Sequence, residues 1–200
     1  MPITLTDSKQ NKLALVNRCL QAIGEAPLPG GSIPSEFPLG SDTQVASSIV
    51  DDTWIEVCNR GWWFNTDLNF TLTPDSNNFI ALPETVLRID TVNGYGRYIK
   101  RQGMVYDRYE HTFTFEDTIK LSLIWATNYS DLPVAAYEYI ATRSARKFQQ
   151  KVIGAPDLER PLLQEEADAL QNLQRENIQY LDSSMLEPSV SNRYINIRSI

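Results

Sequence analysis

A single histidine, His111, stands in a chain of 200 residues. Any mechanism that needs two histidines is therefore excluded, and most metallohydrolase sites go with it. Cysteine is nearly as scarce: Cys19 and Cys58 are too few for a disulfide framework or a four-ligand thiolate zinc site. No apolar run approaches the roughly 18 residues that a membrane-crossing helix needs. The start, MPITLTDSKQNK, lacks the apolar centre of a signal peptide. These absences predict a soluble protein of a reducing compartment. Positive charge is also in deficit, with 18 Lys and Arg against 25 Asp and Glu, a net charge of -7. A free-standing nucleic-acid binder of this size is usually basic, so that class loses weight. No phosphate-binding loop, dinucleotide fingerprint or nucleophile elbow occurs. The two glycines of NGYGRYIK (93–100) lie in a β-rich stretch with no helix after them and read as hairpin turns.

What is present is ordinary for a globular protein: 42% apolar and 22% charged residues. A chain this long buries roughly 70% of its unfolded surface and needs no staple. The length suits one domain, or a core domain carrying an insertion. Leu13, Val16, Cys19, Leu20 and Ile23 recur at helical spacing and predict a helix over 7–23, with Asp7 and Gln10 as a capping box and Gly24 as its stop. Residues 25–40 hold four prolines and three glycines and predict a long surface loop. A second helix is expected over about 42–60, started by Ser41 with Gln44 and ended by the run RGWWFN (60–65). Its apolar face takes Val45, Ile49, Trp54, Val57 and Cys58.

Between 66 and 128 the period changes from helical to alternating. Leu68, Phe70 and Leu72 alternate, and Ile119, Leu121, Leu123 and Trp125 do so most cleanly. About six short strands with turn signals between them predict an antiparallel sheet or small sandwich. Helix returns over 133–152, with Tyr137, Ile140, Ala141, Ser144, Ala145, Phe148 and Val152 inward, and again over 158–181, with Leu163, Ala167, Leu170, Leu173, Ile178 and Leu181 inward. Arg143, Arg146, Lys147 and Lys151 close the first of these helices, and Asp157, Glu159, Glu165, Glu166 and Asp168 open the second. Those charges suit both helix dipoles and an antiparallel hairpin. Residues 182–200 lose the helical period yet keep Val190, Tyr194, Ile195, Ile197 and Ile200, which predicts an extended arm that docks on another chain, with packing on its own domain as the alternative.

Few residues offer chemistry. His111 beside Glu110 reads as a solvated loop residue. Glycosidase chemistry needs two carboxyl groups about 5–10 Å apart across a sugar. Asp107, Glu110, Glu116 and Asp117 are the candidates, with Trp62, Trp63 and Trp125 as stacking platforms. The ordinary reading of these acids is strand ends and turns. That of Trp62, Trp63 and Phe64 is a wedge where helices meet the β segment. Arg97, Lys100, Arg101 and Arg108 form a basic group on successive β segments, suited to an acidic partner surface or to solvent.

Several segments together resemble a known family. They are LVNRCLQAIGEAPL (15–28), RGWWFN (60–65), VYDR (105–108), and the stretch from Leu132-Pro133 through SARKFQQ (144–150), IGAPD (153–157) and LLQEEADAL (162–170). In order and spacing they are similar to the tail tubular protein A group, the tail adaptors of T7-like short-tailed bacteriophages. The resemblance spans about residues 10–180. It implies a virion structural protein and not an enzyme. Such a protein forms a ring of about twelve copies between the portal and the tail nozzle protein (tail tubular protein B), with fibres attaching nearby and DNA passing through without sequence-specific binding. It implies no cofactor, metal or membrane, and a place in the virion tail after assembly in the host cytoplasm.

The fold expectation is α+β. A four-helix bundle is built from 1–62 and 130–181, an antiparallel β domain is inserted at 63–129, and 182–200 form the arm. Arg193, Tyr194, Ile195 and Ile197 are the expected partner contacts, because arginine and aromatic residues dominate interface energetics. A virion-associated glycan hydrolase using the paired carboxylates is the alternative.

Overall fold

The computed structural model describes residues 11–29, 40–91 and 96–185. It combines helices with antiparallel sheets, an α+β fold, and divides into two compact units. One is Met1–Thr53 with Leu132–Ile200; the other is Trp54–Asp131.

In the first unit, helix α1 (Lys12–Ala22) starts at Asn11, whose side chain accepts a hydrogen bond from Ala14 N at 2.9 Å. Asp7 and Gln10, expected as its capping box, lie outside the described residues. Gly24 takes φ +82°, and the N–H groups of Gly24 and Glu25 donate to Gln21 and Leu20. That pair of bonds is a Schellman stop, as Gly24 predicted. Asn17 then holds the exit by a two-way bond with the backbone of Leu28. Helix α2 (Asp42–Cys58) begins at Ser41, whose hydroxyl accepts from Gln44 N, while the Gln44 amide oxygen accepts from Gly40 N rather than Ser41 N. The box is thus shifted outward by one residue.

Helix α3 (Val134–Val152) packs against both α1 and α4 (Pro156–Met185). It is buried nearly all round, which its expected face did not foresee: Tyr139, Thr142 and Gln149 are buried as well. Val152, expected inside, is exposed. In α4 the buried face is turned from the expected one. Leu163, Ala167 and Ile178 are exposed, Glu166 is buried, and Leu173 is buried as expected. Apolar periodicity could not place Glu166 inside, because its burial is driven by two arginines on α3. Helix α4 also runs four residues past its expected end, to Met185.

In the second unit, β1 (Thr66–Leu72), β5 (Ile119–Trp125) and β2 (Val86–Thr91) form one antiparallel sheet in that order, and β3 (Tyr98–Arg101) pairs with β4 (Met104–Asp107) as a hairpin. Among the described residues five strands form, where about six were expected. Phe79 and Ala81 make single bridges only, to Thr114 and Met104. That segment is too short for a ladder: Asp75 caps the turn at Asn77 and Phe79, Asn78 has φ 65°, and Pro83 follows. Leu68 and Phe70 are exposed although they were expected to alternate inward with Leu72. A bulge between Asp67 and Phe70, with Asn69 at φ 58°, adds a residue and takes Leu68 out of phase. The core holds Leu72, Ile80, Leu82, Val86, Ile89, Val105, Phe115, Leu121 and Leu123.

Candidate functional site

Asp107 is 3% exposed. One oxygen receives Arg97 at 2.6 Å, and the other accepts from Tyr109 N and Glu110 N. Burial alone would push its carboxyl pKa up. The bonds from Tyr109, Glu110 and Arg97 outweigh that and lower it. A carboxylate so engaged stays ionised and donates no proton at neutral pH, so Asp107 closes a turn and suits no general-acid role. Glu110 joins it only through Arg97, at 3.9 Å. Glu116 and Asp117 are exposed in the segment before β5.

The stacking platforms are also committed. Trp62 is buried with Nε1 donating to Val57 O at 2.8 Å, Trp125 Nε1 donates to Asp67, and Trp63 meets Phe64 edge to face. His111 is exposed in a turn with φ 55°. Among the described residues no group of three His, Cys, Asp or Glu is placed to hold a metal ion, and no helix is long and apolar enough to cross a membrane. Burial pushes the Cys19 thiol up to about 12 and also raises Cys58, so neither is a ready nucleophile.

The segments that carry the family resemblance instead make buried polar joints. Asn65, the last residue of RGWWFN, is 3% exposed and saturated. Its amide nitrogen donates to Cys58 O at 2.8 Å and Trp125 O at 2.7 Å, and its oxygen accepts from Trp62 N at 2.8 Å. It thereby ties the end of α2 to the end of β5. In VYDR, Val105 fills the core, Asp107 holds Arg97, and Arg108 reaches Gly96 O. In SARKFQQ, Arg146 and the preceding Arg143 converge on Glu166 of α4, each at 2.5 Å, and Gln149 donates to Ala155 O across the α3–α4 turn. Burial would raise the Glu166 carboxyl pKa, but the two guanidinium groups prevail and hold it below the ordinary value. The opposed charges of α3 and α4 therefore meet as the sequence predicted, with Glu166 as the shared centre. Its spacing in LLQEEADAL does not mark it out from Glu165, and no sequence signal singled out Asn65.

Two exposed surfaces remain. In the first unit a groove of about 630 Å³ lies between α3, α4 and α1, lined by Val134, Ala135, Glu138, Asp168, Arg175 and Glu176 among others. Arg18 crosses one end to Glu165 at 3.7 Å. In the second unit the β3–β4 hairpin carries Arg101 beside its turn and Arg97 and Arg108 at its open end, with Lys100 on the face opposite Arg101, so the basic group of the sequence is spread along the hairpin rather than gathered. Arg97 is spent on Asp107, and Lys100 on the carbonyl of Val86. Arg101 lies over the Tyr106 ring at 3.9 Å. The predicted arm contacts Arg193, Tyr194, Ile195 and Ile197 lie outside the described residues.

Comparison with known proteins follows the same segments. A family model described as tail tubular protein matches residues 13–182. The chain is also similar to tail tubular protein A of Klebsiella phage KP34, 26% identical over 130 residues, which is 65% of this chain and 67% of that protein.

Proposed function

The chain belongs to the tail tubular protein family, a family of phage tail structural proteins, and from that premise we propose that it is the tail adaptor of a short-tailed phage virion. In this reading about twelve copies form a ring that joins the portal to the tail nozzle protein and gives fibres a place to attach, while DNA passes through without being read. The helices of 1–62 and 130–181 act as one four-helix bundle and 63–129 as the inserted β domain; because α4 continues to Met185, the arm expected over 182–200 is reduced to 186–200, and it grips the portal or a neighbouring copy through Arg193, Tyr194, Ile195 and Ile197. The protein would assemble in the host cytoplasm and reside in the virion tail.

The observation that carries the reading is the extent of the family match, residues 13–182, which takes in parts of both compact units. The use of its characteristic segments supports a structural role. They are consumed in Asn65, Asp107 and Glu166 joints, where a catalytic protein would keep polar groups available. Native mass spectrometry of the protein with and without its portal tests the reading. A closed ring of about twelve copies, alone or on the portal, is expected. A monomer that ignores the portal refutes it. Removing 186–200, which leaves all of α4 in place, should impair portal binding while the helical circular dichroism stays near wild type.

A further inference from the structure

We propose that the outer face of the β3–β4 hairpin is a contact surface for a second copy of this chain and seats on the acidic groove between α1, α3 and α4 of that copy. The proposal rests on the ring reading above and names the surfaces that would make the ring. Strand pairing sets the two faces of the hairpin. Tyr98 lies opposite Asp107, Ile99 opposite Tyr106, Lys100 opposite Val105 and Arg101 opposite Met104. Side chains alternate across a strand. Val105 and Asp107 are buried and Tyr98 packs on the core, so that face points inward. Ile99, Arg101, Met104 and Tyr106 therefore share the other face, on which Arg101 is exposed, Ile99 and Met104 are half-buried, and the Tyr106 ring is covered, only 9% exposed.

That face is built for contact rather than for hydration alone. Arg101 stacks on Tyr106 at 3.9 Å, and the Phe113 ring meets Tyr106 at 4.8 Å. Stacking orients a guanidinium by its flat side and leaves the N–H donors at its edge free for an anion. Arg108 stands at the open end of the hairpin, opposite Arg97 and away from the turn that Arg101 flanks, with one nitrogen on Gly96 O. Among the described residues neither Arg101 nor Arg108 has a carboxylate partner. Arginine, methionine and aromatic residues with no acid among them are the composition of an interface core.

The groove supplies the complement. Its lining carries Glu138, Glu165, Asp168 and Glu176 against two arginines, and Val134 there is 66% exposed. Arg18 reaches Glu165, and Arg175 donates to Asn172 Oδ1. A groove with more acids than cations and an exposed valine suits an arginine-bearing face with apolar side chains around it. The alternative of a two-fold dimer through the hairpin would set like charges against each other. Two different surfaces meeting head to tail make a heterologous contact, the kind that closes into a ring. Duplex DNA is a weaker fit: two arginines on a chain of net charge -7 make few phosphate contacts against overall repulsion.

The test is charge reversal with rescue on the full chain. Self-association, alone and on the portal, is followed by sedimentation velocity, and each variant is checked by circular dichroism. R101E/R108E and D168R/E176R change three exposed residues and the half-buried Glu176. Each should weaken association about tenfold or more, and the combination of all four, or an equal mixture of the two variants, should recover most of the loss. Association at wild-type strength in either variant overturns the proposal. So does loss in both with no recovery when they are combined. A hairpin variant that associates normally but is retained less by duplex DNA overturns it in favour of nucleic acid. Wild type that never associates, alone or on the portal, overturns the ring reading itself, and that result needs no variant to be read.

Discussion

Replacing Glu166 with glutamine keeps the side chain's shape and removes its charge. In the native protein this carboxylate receives Arg143 and Arg146 at 2.5 Å each, and Arg146 also reaches Glu159 at 3.6 Å. The three central side chains are 9%, 18% and 16% exposed, so little solvent screens the variant's two facing cations. Removing one partner of a buried pair costs about 3–5 kcal/mol, because the remaining charge is left uncompensated. The arginines retain some access to water, so the lower end, about 3 kcal/mol, is expected. For a chain this long that corresponds to a fall in Tm of roughly 6–12 °C.

The loss should depend on pH. The folded Glu166 pKa is depressed below its unfolded value of about 4.3, so its contribution is complete above that value and is lost as pH falls through the lower folded value. Wild type and E166Q should therefore differ most near neutrality and converge in acid. Urea denaturation followed at 222 nm reads the helices. The four tryptophans, Trp54, Trp62, Trp63 and Trp125, all lie in the second unit, so their fluorescence is a separate reporter. A loss under about 1 kcal/mol, or a gap that stays constant from neutral to acid pH, would refute the reasoning.

Four further outcomes follow from the packing. Gly61 has φ +76°, and a Cβ there would stand 2.8 Å from Ile124 Cδ1, so Gly61→Ala should cost about 1–3 kcal/mol, read from the tryptophan transition; an unchanged midpoint would show that the turn relaxes freely. Gly103→Ala shares the positive φ but meets nothing within 4 Å, and should cost less than Gly61→Ala. Cys19 and Cys58 should resist thiol reagents in the native protein at mildly alkaline pH and react at once in denaturant; prompt native labelling would contradict their burial. Asn65→Ala should destabilise the second unit by about 2 kcal/mol or more, because three buried backbone partners lose their bonds, and a loss near zero in urea denaturation would mean water replaces the amide.

The sequence by itself determined the local elements and much of their order. Helical and alternating periods are properties of consecutive residues, so α1, α3 and β5 were legible from their apolar spacing, and the stop at Gly24 from the lack of a Cβ. The opposed charges of α3 and α4 were legible too, as a hairpin with complementary ends. What only the tertiary structure decided is which polar groups go inside. Glu166 and Glu165 are neighbours of one kind, yet one is buried between two arginines and the other faces the groove. Asp107 looked like a candidate acid until Arg97 and two backbone N–H groups were found on it. Asn65 carried no signal, although its three bonds hold α2 to β5. The bulge at Asp67–Phe70 overrode a clean alternation in β1. In each case a polar or irregular group is stable only because partners distant in sequence satisfy it, and the penalty for burying a charge or amide unpaired makes those partners decisive.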